Sequence, residues 1–270
     1  IYEVSSQAIP AAAAEDPIEL AKSTESRLLV DGVPAPAEVE MTQEDGVTYV
    51  ALADMALCLD ETAAVNWNSA SQVLTVTTSK LSLTAKVGQL YLVANGRYLY
   101  VPEGVGLTGN RVTVPLSVLT EAFDADLNWN GATGTVAVTR GSGGLTPGNQ
   151  FYNEKDLFWL SRVIYAESGN QPLDGKIAVG NVVLNRVNSP LFPNTVYEVV
   201  FQRNQFTPVS NGSIYREPNA ESVIAAKLCL DGANTVGASL YFVNPYTAPN
   251  SWASRNRPYV ATIGAHAFFA

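Results

Sequence analysis

Residues 151–270 of this 270-residue chain hold eight carboxylates, nine basic side chains and the chain's one histidine, His266. Seven of the eight carboxylates fit simply into a helical reading. Glu154 and Asp156 follow Asn153, a suitable N-cap, and oppose a helix dipole from its first turn; Asp174 does the same one helix later. Glu217 and Glu221 flank the start of NAESVIAAKLCL, Asp231 falls in the DGAN turn that ends it, and Glu198 suits a solvated helix face. Glu167 has no such place. In NEKDLFWLSRVIYAES, Leu157, Leu160 and Ile164 recur at helical spacing, and Glu167 comes next on the same apolar stripe. A carboxyl there faces the interior or a cleft. Burial disfavours its anion and raises its pKa, which is what a general acid needs near neutral pH. The alternative is an internal ion pair with Arg162, Arg186 or another base. The residues by themselves leave both readings open.

The remaining composition narrows the chemistry. With one histidine and two cysteines lacking paired spacing, a zinc amidase or peptidase is short of ligands. A Ser-His-Asp or Cys-His mechanism would depend on His266, and no Gly-x-Ser-x-Gly elbow is present. Neither a metal nor an organic cofactor is called for. Cys58 and Cys229 lie in apolar helical contexts and read as free, buried thiols rather than a disulfide. The net charge of −9 argues against nucleic acid as a partner. Residues 1–140 carry 17 acidic and 7 basic side chains, against 8 and 9 in residues 151–270, so the near-neutral C-terminal half could approach a polyanionic polymer. No apolar run approaches the roughly 18–20 residues of a membrane span. The first residue is not Met, and removal of an export signal or anchor is the expectation.

The elements that must position Glu167 are a helix capped by Asn153 and ended at Gly169, then a second helix entered at Pro172 and continued by KIAVGNVVLNRV. Before them the chain divides. Residues 1–27, rich in Ala, Ser and acids, read as a leader remnant or tether. GSGGLTPGNQ, residues 141–150, has the composition of a flexible joint. Between them VTYVALADMALCLDETAAVNWNSASQVLTVTT is echoed by VTVPLSVLTEAFDADLNWNGATGTVAVT, with Val50 matching Val114 and Asn66-Trp67-Asn68 matching Asn128-Trp129-Asn130. Each copy predicts a strand, a helix of about ten residues and two further strands. Asn95-Gly96 marks a hairpin, and Trp67 and Trp129 read as core anchors, with carbohydrate stacking the alternative. The Val-Pro-Leu helix and the Trp-Asn hairpin over residues 28–140 resemble the copper amine oxidase N-terminal-like domain. The resemblance implies an envelope-associated accessory module, a candidate docking site for an envelope or spore protein. It implies no copper site here, since residues 1–140 contain no histidine.

Over residues 151–270, VIYAESGNQPLDGKIAVGNVVLNRV, then Gln205-Phe206, ASLYFVNP and IGAHAFFA are similar to the SleB-type cell wall hydrolases, which include the spore-cortex-lytic enzymes. That resemblance implies a mainly helical, lysozyme-like or lytic transglycosylase-like domain, and an α+β fold class for the chain as a whole. It implies that Glu167 is the catalytic acid and that peptidoglycan glycan strands are the substrate. Two carboxylates are usual in a hydrolytic glycosidase. No second one suggests itself here, and the family's spore members imply transglycosylation by a single acid/base. Gln205, Phe206, Tyr241, Phe242, Asn244 and His266 are the matched candidates for substrate binding. At His266 the family's Gly-Asn-His becomes Gly-Ala-His, so a polar partner is missing at Ala265. Asn185 and Arg186 read as support for the cleft. Trp252, Arg255 and Arg257 in SWASRNRPY could hold anions, a solvated basic loop being the simpler reading. The activity expected is lytic transglycosylase cleavage of the muramic acid to glucosamine bond, at the cell wall, spore envelope or outside the cell. The alternatives are an N-acetylmuramoyl-L-alanine amidase and a non-catalytic wall-binding protein.

Overall fold

The computed structural model describes residues 27–270; the expected tether, Arg27 apart, lies outside them. The two copies of the repeat fold alike. The first runs through strand Val47–Ala51, helix α1 (Leu52–Leu59) and strands Ala64–Asn68 and Val73–Thr77. The second runs through Arg111–Pro115, α2 (Leu116–Ala122), Asp126–Asn130 and Thr135–Thr139. These helices have 8 and 7 residues, shorter than expected, because the chain must turn back at once into the next strand. The lead strands pair antiparallel with Val50 opposite Val114, the residues the repeat equates, so a local two-fold relates the copies. Leu52, Met55, Leu116 and Leu119 are fully buried beneath the strands in one hydrophobic cluster. Asn95 and Gly96 turn the hairpin at φ 51° and 75°, the positive pair that a type I′ turn requires.

Two expectations for this half are corrected. Trp67 and Trp129 are 41% and 55% exposed, not core anchors. They stand opposite buried Leu74 and Val136, on the core-facing side, but their strands are the outermost of their sheets and no layer reaches over them. The Gly-rich segment is packed, not loose. Leu145 is buried in the N-terminal cluster, and the amides of Gly143, Leu145 and Gly148 donate to Phe123, Ala122 and Asn95 carbonyls. Gly141, Gly144 and Gly148 sit so close to the carbonyl oxygens of Asp124, Lys80 and Gly96 that a Cβ would collide with each. Glycine serves close approach here rather than freedom.

The C-terminal half continues with α3 (Gly148–Phe151), α4 (Glu154–Ser168), α5 (Leu173–Val187), α6 (Val196–Phe201), α7 (Thr207–Asn211), a 3₁₀ turn at Ser213–Tyr215, α8 (Ala220–Leu230) and α9 (Trp252–Asn256). Its sheet has His266–Phe269 between Tyr241–Val243 and Tyr259–Ile263. None of the described helices is long and apolar enough to cross a membrane. As expected, the Asn153 side chain caps α4 by accepting from the Asp156 amide. Helices α4, α5 and α8 form the core, with Leu160, Ile164, Ile177, Val182 and Leu228 fully buried. Gly180 lets the three approach: a Cβ there would lie 2.6 Å from Cys229 Sγ and 2.9 Å from Ile164 Cδ1. Gly180→Ala is therefore expected to lose about 1–3 kcal/mol in urea unfolding, although alanine is the better helix former. A variant as stable as the parent would mean that the helices separate without cost. Cys58 and Cys229 are both free.

The halves meet through a polar cluster that composition did not reveal. Arg97, on strand Arg97–Tyr100, pairs with Asp231 just past α8 at 2.6 Å, with side-chain exposures of 10% and 1%. Tyr152 donates its hydroxyl to the same carboxylate and accepts from the Tyr98 amide at 2.8 Å. The Phe151 ring lies 3.4 Å from the Arg97 guanidinium carbon. Tyr91, Tyr98 and Tyr100 pack against the helical core.

Candidate active site

Glu167 stands on the last turn of α4, where the apolar stripe of Leu160 and Ile164 emerges into a cleft of about 700 Å³. Tyr165, Asn170, Asn211, Ser213, Arg216 and Asn219 line the cleft with it, and Glu167 is the one carboxylate among its lining residues. Gly169 ends the helix, its amide donating to the Tyr165 carbonyl at 2.9 Å. The cap of α8 closes one side: the Asn219 amide donates to the Gly169 carbonyl at 3.3 Å while its oxygen accepts from Ser222.

The ion pair open to Glu167 in the sequence does not form among the described residues. Arg162 pairs with Glu217 at 2.9 Å instead. Arg186 is buried and donates to the Leu240 carbonyl at 2.8 Å and to Gln205 Oε1 at 3.2 Å. Its guanidinium carbon also lies 4.8, 5.3 and 5.6 Å from the rings of Phe192, Phe206 and Tyr241. Burial pushes the Glu167 carboxyl up to about 7, with the Arg186 charge pulling the other way. Burial likewise brings Arg186 down to about 10, against the opposing influence of Tyr241 and Glu167. The result is a carboxyl protonated over much of the neutral range, beside a cation held by neutral partners. It can give a proton, and it can carry the charge afterwards.

The matched binding candidates are divided. Gln205 is exposed and holds Arg186, and Tyr241 is half-buried at the same guanidinium. Phe206 and Phe242 are corrected as sugar faces. Phe206 is 5% exposed and packs 6.5 Å from Phe242, which itself stacks on Phe268 in the core. The period of two along Tyr241–Val243 explains the split: Phe242 points to the helical core while its neighbours point to the other side of the sheet. Asn244 makes a turn, its oxygen accepting from the Tyr246 amide at 2.9 Å. His266 is 8% exposed, edge-on to Phe242 at 5.1 Å, with Nδ1 buried and unpartnered; burial lowers its pKa. It is an interior ring. Asn185 braces the second helix, donating to the Gly237 and Ser239 carbonyls. The sequence reading missed Asn211, Ser213, Arg216 and Asn219. They come from the end of α7, the 3₁₀ turn, the segment after it and the cap of α8, and no pattern marks them.

Residues 170–269 match the Cell Wall Hydrolase family and residues 29–138 the copper amine oxidase N-terminal domain, the first match beginning just after Glu167. Among similar proteins are two spore cortex-lytic enzymes. That of Oceanobacillus iheyensis is 35% identical over 145 residues, 54% of this chain and 52% of the relative. That of Bacillus subtilis is 38% identical over 117 residues, 43% of this chain and 38% of the relative. The chain thus spans about half, or less, of these curated relatives' length. Among solved structures, the catalytic domain of the germination-specific lytic transglycosylase SleB of Bacillus anthracis is 38% identical, with 46% of this chain and all of that one covered, at a TM-score of 0.42.

Proposed function

We propose that residues 151–270 cleave the glycan strand of peptidoglycan as a lytic transglycosylase, with residues 28–140 as an accessory module that positions them on the wall. The observation that carries this reading is the half-buried Glu167, without an ion-pair partner among the described residues, in a cleft lined by no other carboxylate among them. Protonated, Glu167 gives its proton to the glycosidic oxygen between muramic acid and glucosamine as that bond breaks. Now a carboxylate, it takes the proton from the 6-hydroxyl of the muramic sugar, whose oxygen attacks the same sugar's anomeric carbon. The new bond closes a 1,6-anhydro ring and water is not consumed. One group thus serves in both halves of the reaction, and the Arg186 charge steadies the anion between them. The activity named for the relatives makes spore cortex the substrate to test first, and the protein is then exported to the wall or spore envelope.

The test is mass spectrometry of products from spore cortex and vegetative peptidoglycan treated in parallel. Anhydro-muramic ends are expected. Hydrated reducing ends would require a water-activating base outside the cleft described, and released peptide stems would move the reaction to the amide bond.

A further inference from the structure

Arg257 departs from the solvated loop that its sequence suggests. It follows α9, whose cap Ser251 accepts from the Ser254 amide, and its guanidinium carbon lies 5.2 Å from the ring centroids of both Trp252 and Tyr241. Its Nε is buried without an acceptor, and the guanidinium has no carboxylate within ion-pair distance among the described residues. Four of the eight acids of this half are engaged elsewhere: Glu217 with Arg162, Glu221 with Lys176, Asp231 with Arg97 and Glu198 with Thr195. The neighbouring Arg255 is the ordinary case, exposed and donating to the Ser251 carbonyl. A desolvated donor without an acceptor costs about 1–3 kcal/mol, and such a group in a native structure calls for an explanation.

The surroundings supply one. Trp252, one of the two rings that hold the guanidinium, is 53% exposed. Tyr241, the other, also lies 5.6 Å from the Arg186 guanidinium carbon. A guanidinium set against aromatic faces still presents its N–H edge, and that edge matches a planar carboxylate through paired hydrogen bonds.

We infer that Arg257, Trp252 and Tyr241 form a subsite for a carboxylate of the acidic peptide stem that branches from the muramic sugars of the glycan strand. The inference rests on the glycan-strand reading of the Glu167 cleft. Arg257 supplies charge and direction, and the exposed indole covers the apolar part of the stem. The subsite makes the protein sensitive to how the strand is decorated, a property separate from the bond it cleaves.

The test uses Glu167→Gln protein, in which turnover is blocked, titrated with soluble glycan oligomers in three forms: stems intact, stem carboxylates amidated, and stems removed. The intact form is expected to bind about tenfold more tightly than the other two, roughly what one charge-assisted pair contributes. Adding Arg257→Gln should bring all three to the affinity of the stripped form, and Arg257→Lys should recover only part of the difference. Retained binding of the stripped form shows that a variant is folded; should Arg257→Gln not fold, Trp252→Ala tests the same subsite. Equal affinities in the Glu167→Gln parent, or a stem preference that survives Arg257→Gln, overturn the subsite. Product analysis of the unmodified protein separates the two readings. Anhydro ends without stem preference leave the acid and remove the subsite, whereas an Arg257-dependent preference without strand cleavage does the reverse.

Discussion

Glu167→Gln is expected to lower strand cleavage by about 10²–10⁴-fold, the usual contribution of a positioned acid/base, while binding of glycan is retained. Glutamine keeps the shape of the side chain and the cleft lining but has no proton to give. Two pH measurements sharpen the expectation. The parent's rate should fall as pH rises through about 7, because the first step needs the protonated carboxyl. Stability should carry the same signature. The folded-state value near 7 lies above the ordinary value of 4.5, so the folded protein holds this proton more tightly than the unfolded chain does. That contribution is complete below pH 4.5 and is lost as pH rises through about 7. Relative to the parent, the Gln variant is thus expected to gain about 1–3 kcal/mol between pH 4 and pH 8, the partial exposure of the group keeping the figure small. A variant that cuts normally, or a rate flat across neutral pH, would return Glu167 to a structural role.

The second large effect concerns the contact between the halves. Asp231→Ala leaves the Arg97 guanidinium buried without its partner and removes the acceptor of the Tyr152 hydroxyl. Breaking one side of such a pair costs about 3–5 kcal/mol. Urea unfolding should show that loss, with a new protease-sensitive site near residues 141–152. Replacing both partners, as Arg97→Met with Asp231→Leu, should recover much of it, since a packed apolar pair leaves no stranded charge. A loss under about 1 kcal/mol for Asp231→Ala would mean that water reaches the pair and screens it, as in exposed ion pairs.

Both residues are acids, yet only one was legible. Glu167 broke a helical period, and a break in a local pattern is visible along the chain. Asp231 satisfied a local pattern, the polar turn after a helix, and its real partner lies 134 residues away on a strand. The same contrast holds for the fold. The repeat, the Asn95-Gly96 turn, the Asn153 cap and the Gly169 stop are local signals and were readable. Trp67 and Trp129 were misread because alternation assigns a side of the strand and not whether another layer covers it. The glycines of residues 141–150 were misread because composition does not distinguish a residue chosen for freedom from one chosen for lack of volume. At the cleft, the acid's helix was foreseeable, whereas Asn211, Ser213 and Arg216 are brought to it only by the tertiary path of the chain.

The packed segment at residues 141–150 has a mechanical consequence. A loose joint would let an anchored enzyme sweep a volume of wall and sample strands in any orientation. On the proposed reading, in which the sheet half holds the protein to the wall, a seated joint makes that half a fixed arm, so a given anchorage point presents the acid at one radius and one heading. Cuts would then fall at a set offset from wherever the arm is held, and lengthening this segment should broaden the spacing between cuts without altering the chemistry of any one of them.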